Sequence, residues 1–283
     1  MPRVFLTECP RDAMQGIKPF IPTDIKVSYL QSLLRVGFDV LDFGSFVSHK
    51  AVPQMRDTHE IIRQLDLSDT KTKLLAIVAN ARGAEDALLY PQIDYLGYPF
   101  SISENFQVRN TNKTIEESTQ VLDKIANRVQ QLGKELVVYL SMGFGNPYGD
   151  PWSPELVGEW VARLAQMGIR RISLSYTVGV AQPQTITSLF EHLLSVHPNI
   201  FFGAHLHAKP NEATEKIQAA YVGGCRAFDS AIRGLGGCPM AKDALTGNVP
   251  TEKLLSFLTA QKVNFSANML HFESAYNTSL QVC

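Results

Sequence analysis

Short apolar segments alternate with amphipathic segments along the whole chain. Eight of the apolar segments are short and bounded by turn residues, which predicts β-strands. The predicted strands are Val4–Leu6, Phe38–Asp42, Leu74–Ala79, Ile93–Tyr98, Glu135–Ser141, Ile169–Ser175, Ile200–His205 and Ala227–Ser230. Asp24–Val36 instead repeats its apolar residues with a helical period and is followed by Gly37, a common C-terminal stop. The alternation of strands and helices predicts an α/β protein.

Several helices carry recognisable start signals. Thr114 and Glu117 have the spacing of a capping box, and Ser153 followed by Pro154 places a cap before a proline at the first helical position. Asn211 is a further candidate cap, for a helix that ends at Gly223–Gly224. These signals predict helices between the later strands.

Eight strand–helix units in one chain fit a (β/α)8 TIM barrel forming a single catalytic domain over residues 1–283. A doubly wound sheet is the alternative, but its usual glycine fingerprint is absent after the first strand, where Thr7–Asp12 contains no glycine. In a barrel, chemistry is expected where the strands end. We expect the glycine-rich segment after strand 8, Gly234–Gly237, to form part of a lid-like loop.

Composition narrows the function classes. The 283 residues are 45% hydrophobic and carry a net charge of −1, which is too apolar for a disordered chain and too neutral for a sequence-independent nucleic-acid binder. No apolar run is long enough for a membrane span, and the first residues lack the pattern of a signal peptide. Four scattered cysteines do not suggest a disulfide framework. The sequence therefore predicts a reduced, cytoplasmic protein.

Polar side chains follow several predicted strands. His205 and His207 are separated by one residue, so their side chains point the same way from a strand and could bind one metal. Asp12 and Asn248 follow other strands and would complete a nitrogen and oxygen ligand set, which favours Mg²⁺, Mn²⁺ or Co²⁺. The alternative is that both histidines are ordinary half-buried strand residues.

Three further residues carry possible chemistry. Cys238, in the glycine-rich segment, could transfer a proton or could be a small buried side chain. Arg11 could stabilise a developing enolate oxygen, or form an ordinary ion pair. Asp42 could orient Arg11 or a metal-bound water, or could serve as a helix cap or turn residue.

Three motifs resemble the 3-hydroxy-3-methylglutaryl-CoA lyases, which belong to the metal-dependent pyruvate-carboxyltransferase-like barrels. The most specific is Gly-Leu-Gly-Gly-Cys-Pro-Met-Ala from Gly234, followed by Thr-Gly-Asn-Val-Pro-Thr-Glu from Thr246. The others are Pro10–Gln15 and the lyase-specific stretch Ser45–Met55. The resemblance covers nearly the whole chain.

The resemblance implies cleavage of an acyl-CoA substrate, 3-hydroxy-3-methylglutaryl-CoA, to acetyl-CoA and acetoacetate. It also implies a divalent metal, Mg²⁺ or Mn²⁺ with Co²⁺ possible, and a homo-oligomer, either a dimer or a tetramer. The implied metal ligands are Asp12, His205, His207 and Asn248. The other implied roles are enolate stabilisation by Arg11, proton transfer by Cys238, contact with the reacting hydroxyl by His205, contact with the acyl group by Gln15, and the place of a catalytic glutamate for Asp42.

The chain departs from the family pattern at several rim positions. Thr7 replaces a glutamate, Ala13 a glycine and Tyr176 an aspartate, and Met240 replaces an aromatic residue. The segment Ala208–Asn211 replaces a stretch that usually contains aspartate and glycine. Two other functions therefore stay open: a different metal-dependent aldolase or condensing enzyme acting on a 2-oxo or 2-hydroxy acid, and a ligand-binding protein that has lost turnover.

Overall fold

The computed structural model describes residues 3–176, 181–237 and 246–282. It contains all eight predicted strands. In chain order the strands are β1 Phe5–Glu8, β2 Val40–Ser45, β3 Lys73–Ile77, β4 Ile93–Ser101, β5 Glu135–Ser141, β6 Arg171–Tyr176, β7 Phe201–Ala208 and β8 Ala227–Ser230, with a short ninth strand, β9 Gly247–Asn248.

The first eight strands form a closed parallel barrel. Each pairs with its neighbours in chain order, β1 pairs with β8, and β9 adds to β7 in the antiparallel direction. The predicted TIM barrel is therefore confirmed, and the doubly wound alternative is wrong. The predicted lid-like loop extends into residues 238–245, which lie outside the described residues.

Helices surround the barrel between successive strands. They are α1 Pro10–Gln15, α2 Thr23–Val36, α3 Thr58–Gln64, α4 Ala81–Leu88, α5 Glu104–Thr111, α6 Ile115–Gln131, α7 Pro154–Gln166, α8 Pro183–Val196, α9 Ala213–Val222, α10 Thr251–Ala260 and α11 Met269–Thr278. Among the helices of the described ranges, none combines the length and apolar character required to cross a bilayer.

The start and stop signals of the helices are mostly confirmed. Thr114 and Glu117 form a complete capping box at α6, and the Ser153 side chain accepts a hydrogen bond at the start of α7. Gly37 ends α2 with a φ of +82°, a conformation that glycine adopts without strain. The cap predicted at Asn211 is wrong: a turn in which Glu212 N–H donates to the Lys209 carbonyl delays the helix start to residue 213.

The pleat of the strands separates two layers of apolar packing. On β3, Leu74 and Ala76 belong to the large core between the barrel and its helices. Leu75 and Ile77 belong to a small cluster inside the barrel, together with Tyr139. Alternation along each strand therefore decides which side chains enter the barrel and which face the helices.

Glu8 is a buried acid at the end of β1 that ties three elements together. Its carboxylate accepts hydrogen bonds from the backbone N–H of Ile232 (2.8 Å) and from the Thr251 hydroxyl (2.6 Å). Burial raises the pKa of Glu8 from 4.5 to about 8, and the two hydrogen bonds oppose this only in part. Glu8 thus connects β1 to the segment after β8 and to the start of α10.

We expect Glu8→Gln to change how stability depends on pH. Between about pH 4.5 and pH 8 folded Glu8 keeps a proton that the unfolded chain has released, so rising pH destabilises the native protein over this window. Glutamine does not ionise, so the variant should gain stability relative to wild type through the window. The gain should reach a few kcal/mol above pH 8, since one pKa unit corresponds to about 1.4 kcal/mol.

Urea unfolding at a series of pH values from 5 to 9 measures this difference. Thr119→Ala, a neutral change on α6, is the control and should leave the pH dependence as it is in wild type. A stability difference between Glu8→Gln and wild type that is constant across the series would contradict the role given to Glu8.

Candidate metal and active site

The carboxyl end of the barrel brings together side chains from four elements, α1, β2, β7 and β9. Helix α1 begins two residues after β1 ends, which places Arg11 and Asp12 in its first turn rather than on a strand. Strand β7 contributes His205 and His207, and β9 pairs so that Asn248 lies opposite His207. Because all the parallel strands end at the same rim, residues far apart in sequence meet here.

Asp12, His205 and His207 form a buried cluster of possible metal ligands. One ligand atom from each residue lies within 4.8 Å of the others. The two Nε2 atoms of the histidines are 3.3 Å apart, so one cation could contact both of these nitrogens. The Asn248 Nδ2 atom donates to Asp12 Oδ2 (2.6 Å) and to the Leu235 carbonyl (2.8 Å), which leaves the amide oxygen for another partner.

These donors fit a divalent cation. Two imidazoles, a carboxylate and an amide oxygen make a mixed nitrogen and oxygen set, and no thiolate of the described residues is part of it. Burial alone would raise the pKa of Asp12, but Arg11, the two histidines and the hydrogen bond from Asn248 together lower it. Asp12 is therefore an anion at neutral pH, as metal binding requires.

Arg11 is held beside this cluster by three side chains. Its guanidinium donates to both oxygens of Asp42 (2.6–3.2 Å), to Asp12 Oδ1 (3.2 Å) and to Gln15 Oε1 (2.8 Å). Gln15 in turn donates to Asp12 Oδ1 at 2.6 Å. Burial would lower the pKa of Arg11, but the charges of Asp42 and Asp12 outweigh it, so the pKa is raised.

Asp42 contacts Arg11 and is almost fully buried. Burial raises its pKa to about 6, although the guanidinium beside it favours the charged form. It is thus still ionised at pH 7. Among the roles considered from the sequence, the described contacts of Asp42 correspond to orientation of Arg11.

Seven predicted site residues therefore lie together, and one lies outside the described residues. The seven are Arg11, Asp12, Gln15, Asp42, His205, His207 and Asn248. Cys238 and Met240 fall in residues 238–245, beyond the described residues, so the prediction for Cys238 stays a prediction.

Sequence reasoning missed Asp229 on β8. Its Oδ2 atom lies 3.2 Å from His205 Nδ1, and it accepts a hydrogen bond from the Ser173 hydroxyl (3.1 Å). A signal was present, because Asp229 is a charged residue within the predicted apolar strand Ala227–Ser230. The sequence alone does not show that Asp229 lies beside His205, because this contact depends on the pairing of β7 with β8.

The rim departures occupy different surroundings. Tyr176 is fully buried outside the metal cluster, where its ring packs against Phe144 (6.0 Å between centroids) and lies 5.5 Å from the Lys216 ammonium. Its hydroxyl has no hydrogen-bond partner among residues 3–176, 181–237 and 246–282. Thr7 lies inside the barrel with Tyr139 and Asp229.

The fold and the cluster define a class of protein: a (β/α)8 barrel with a candidate divalent-metal centre at the carboxyl ends of its strands. Comparison with known proteins places the chain more closely. It matches the HMGL-like family model over residues 4–278 and belongs to that family, whose enzymes are metal-dependent.

The chain is similar to a curated relative and to solved structures of the same family. The cytoplasmic 3-hydroxy-3-methylglutaryl-CoA lyase of Rattus norvegicus is 32% identical over 260 residues, covering 92% of this chain and 75% of the relative. The HMG-CoA lyase structure from Brucella melitensis matches with a TM-score of 0.91 and 28% identity, covering 99% of this chain and 98% of that chain. An HMG-CoA lyase from Acinetobacter baumannii, in complex with coenzyme A and 3-methylmalate, matches with a TM-score of 0.90 and 27% identity, covering 99% and 91%.

Gly236 is required for the close approach of the glycine-rich segment to the cluster. Its φ is +85°, and a Cβ atom there would lie 2.6 Å from the Asp12 carbonyl oxygen, 2.9 Å from Ala13 Cα and 2.9 Å from Asn248 Nδ2. We expect Gly236→Ala to displace two proposed metal ligands and to weaken Mn²⁺ binding about tenfold or more. Calorimetric titration with Mn²⁺ measures the effect.

Gly133→Ala is the matched control for that variant. Gly133 also has a positive φ, +65°, but open space surrounds the position of its Cβ. The Gly133→Ala substitution should lower the free energy of unfolding by about 1 kcal/mol and leave the Mn²⁺ affinity unchanged. Equal Mn²⁺ affinity in Gly236→Ala and wild type would show that the glycine does not support the cluster.

Proposed function

We propose that the chain is a carbon–carbon lyase that cleaves 3-hydroxy-3-methylglutaryl-CoA to acetyl-CoA and acetoacetate. The observation that carries the proposal is the convergence of Asp12, His205, His207 and Asn248 beside a buried Arg11. Membership of the HMGL-like family, whose curated relatives are named as lyases of this substrate, supports the same reaction.

Asp12, His205, His207 and Asn248 would hold the divalent cation, which we propose to be Mg²⁺ or Mn²⁺, with Co²⁺ as a further candidate. When bound, the cation would act as a Lewis acid that lowers the pKa of the substrate hydroxyl and positions it. The negative charge of Asp12 and the convergent edges of the two imidazoles support this assignment.

Arg11 is proposed to stabilise the enolate that forms when the C–C bond breaks. A buried guanidinium makes charge-assisted hydrogen bonds that strengthen as negative charge develops. Three hydrogen-bond partners hold it in place before substrate arrives, so little reorganisation is needed. Gln15, half-buried beside Arg11, is proposed to contact the acyl group.

The proton of the substrate hydroxyl requires a base, and we propose His205 or Asp42. His205 lies in the cluster itself and could take the proton on Nε2 while that atom is not bound to the cation. Asp42 lies behind Arg11, whose guanidinium contacts both of its carboxylate oxygens. We also propose that Cys238 protonates the thioester carbanion. That role rests on the glycine-rich sequence motif around the thiol.

The acyl-CoA would enter beside α1. A cavity of about 360 Å³ lies next to Gln15 and is lined by Lys18 and Arg56 among others. The two cations suit the phosphate groups of coenzyme A. The A. baumannii relative in complex with coenzyme A supports a CoA-linked substrate for this family.

No observation favours the aldolase or the non-catalytic function over the lyase. Tyr176 and the altered segment after His207 motivated the first. The described ring contacts of Tyr176 are with Phe144 and Lys216, outside the metal cluster. Thr7, Asp42 and Tyr176 motivated the second, and Asp42 keeps a carboxylate on Arg11.

We further propose a single catalytic domain over residues 1–283 that assembles as a dimer or tetramer in the cytoplasm. The resemblance to the lyases supports the assembly, which light scattering would measure. Curated relatives carry both cytoplasmic and mitochondrial names, so cell fractionation is the test of the compartment.

Removal of divalent metal should abolish the release of acetyl-CoA. A coupled assay run on 3-hydroxy-3-methylglutaryl-CoA, with and without EDTA, measures this. Adding back Mg²⁺ or Mn²⁺ should restore the rate, because chelation removes the cation reversibly. Full activity in EDTA would rule out the proposed metal chemistry.

Asp12→Asn and Cys238→Ser should each lower turnover about 10²–10⁴-fold while the protein remains folded. The first removes an anionic ligand, and the second removes the proposed proton donor. Cys225→Ser is the matched thiol control, because Cys225 is buried, donates to the Ala227 carbonyl and is not among the possible metal ligands of the described residues. Circular dichroism checks that each variant is folded. Normal turnover in Asp12→Asn would contradict the role of Asp12 as a metal ligand, and normal turnover in Cys238→Ser would contradict the role of Cys238 as a proton donor.

A further inference from the structure

The two ring nitrogens of His205 face different partners. Nε2 lies 3.3 Å from His207 Nε2 and takes part in the cluster with Asp12. Nδ1, on the other side of the ring, lies 3.2 Å from Asp229 Oδ2. The imidazole therefore connects the candidate metal centre to a carboxylate deeper in the barrel.

Strand pairing fixes the position of Asp229. Strands β7 and β8 pair in parallel with His205 directly opposite Asp229. Asp229 is buried, and the hydroxyl of Ser173 on β6 donates to the same Oδ2 atom at 3.1 Å. The ring of Tyr139 meets the His205 ring edge to face, with centroids 5.4 Å apart. The orientation of the imidazole is thus set by three strands besides its own.

The other side of His205 carries a hydrogen-bonded carboxylate. Cys9, His205 and Asp229 have ligand atoms within 4.8 Å of one another. Burial, reinforced by the charges of Asp229 and Asp42, raises the pKa of the Cys9 thiol well above its usual value, so without a metal the thiol keeps its proton. Asp229 Oδ2 accepts from the Ser173 hydroxyl and lies within hydrogen-bond distance of His205 Nδ1, so hydrogen bonding is the role that its contacts describe.

We propose that Asp229 is a positioning residue that holds His205 with its proton on Nδ1 and its Nε2 lone pair directed at the metal cluster. A carboxylate accepting from the far nitrogen of a metal-binding imidazole fixes the tautomer and makes the ligand more basic. Ser173 acts one step further away by holding the carboxylate. This inference rests on the proposed metal centre.

Asp229→Asn tests the proposal with a substitution of nearly the same size. Mn²⁺ binding, measured by calorimetric titration of the full chain, should weaken about 10–100-fold. Asp229→Ala, which removes the acceptor completely, should weaken it at least as much. Ser173→Ala is the matched control: it removes the other hydrogen bond to the same oxygen and should weaken Mn²⁺ binding less than about fivefold.

A second measurement separates positioning from a general loss of structure. The ¹⁵N shifts of the His205 ring, recorded without metal at pH 8, distinguish a proton on Nδ1 from a proton on Nε2. Wild type and Ser173→Ala should show the proton on Nδ1, whereas Asp229→Ala should shift the population towards Nε2. An unchanged tautomer in Asp229→Ala would overturn the proposal.

His207→Ala distinguishes failure of this inference from failure of the metal centre. If wild type binds Mn²⁺, His207→Ala does not, and Asp229→Asn binds as wild type does, then the positioning role is wrong and the centre stands. If wild type fails to bind Mn²⁺, or His207→Ala binds it equally well, the proposed centre is wrong and the positioning role falls with it.

Discussion

The contact between Arg11 and the carboxylates of Asp12 and Asp42 is the interaction on which the rest of the site depends. Two acids buried this close together repel each other and resist ionisation unless a cation lies between them. The guanidinium provides that cation and, with its fixed fork of donors, also sets the directions of both carboxylates. Replacing it with a neutral residue would leave uncompensated charge in the barrel mouth, not simply an empty position.

Charge balance at the barrel mouth also explains why a divalent cation fits. Asp229 adds a third buried carboxylate to Asp12 and Asp42, and Arg11 is the one permanently charged cation that these residues contact within the described ranges. Burial would lower the pKa of His205, but the hydrogen bond and charge of Asp229 raise it, as expected beside an excess of negative charge. A metal ion would neutralise the negative charge that Arg11 leaves uncompensated. The electrostatics and the donor geometry therefore both favour a divalent cation.

The sequence predicted the barrel well because strand patterns are local. The predicted strands Glu135–Ser141 and Ala227–Ser230 coincide with β5 and β8, and the continuous apolar run over residues 136–140 of β5 allows one interpretation. Arg11 and Asp12 were expected at a strand end and instead lie in the first turn of α1. Pro10 at the first helical position allows a helix to start immediately after β1, and no periodic pattern is visible in six residues.

What could not be predicted depends on pairing between distant segments. Asp229 acquires its partner only through the register of β7 with β8, which the pattern of either strand does not encode. The sequence predicts a rim position for Tyr176. In the structure Ser175 pairs with His205 and faces the interior, so the side chain of Tyr176, the next residue, faces the helices.

The pairing of β9 with β7 couples folding of the chain to assembly of the candidate metal site. The chain returns from the glycine-rich segment and pairs antiparallel with β7, which puts Asn248 opposite His207. The Asn248 amide donates to Asp12 Oδ2 and to the Leu235 carbonyl. Asn248 thus links α1 and the glycine-rich segment through its side chain, and β7 through the strand pairing of its backbone. A cation bound by all of these residues would stabilise the closed barrel by mass action, because the unfolded chain cannot bring its ligands together. Metal occupancy and the integrity of this end of the barrel are therefore linked properties.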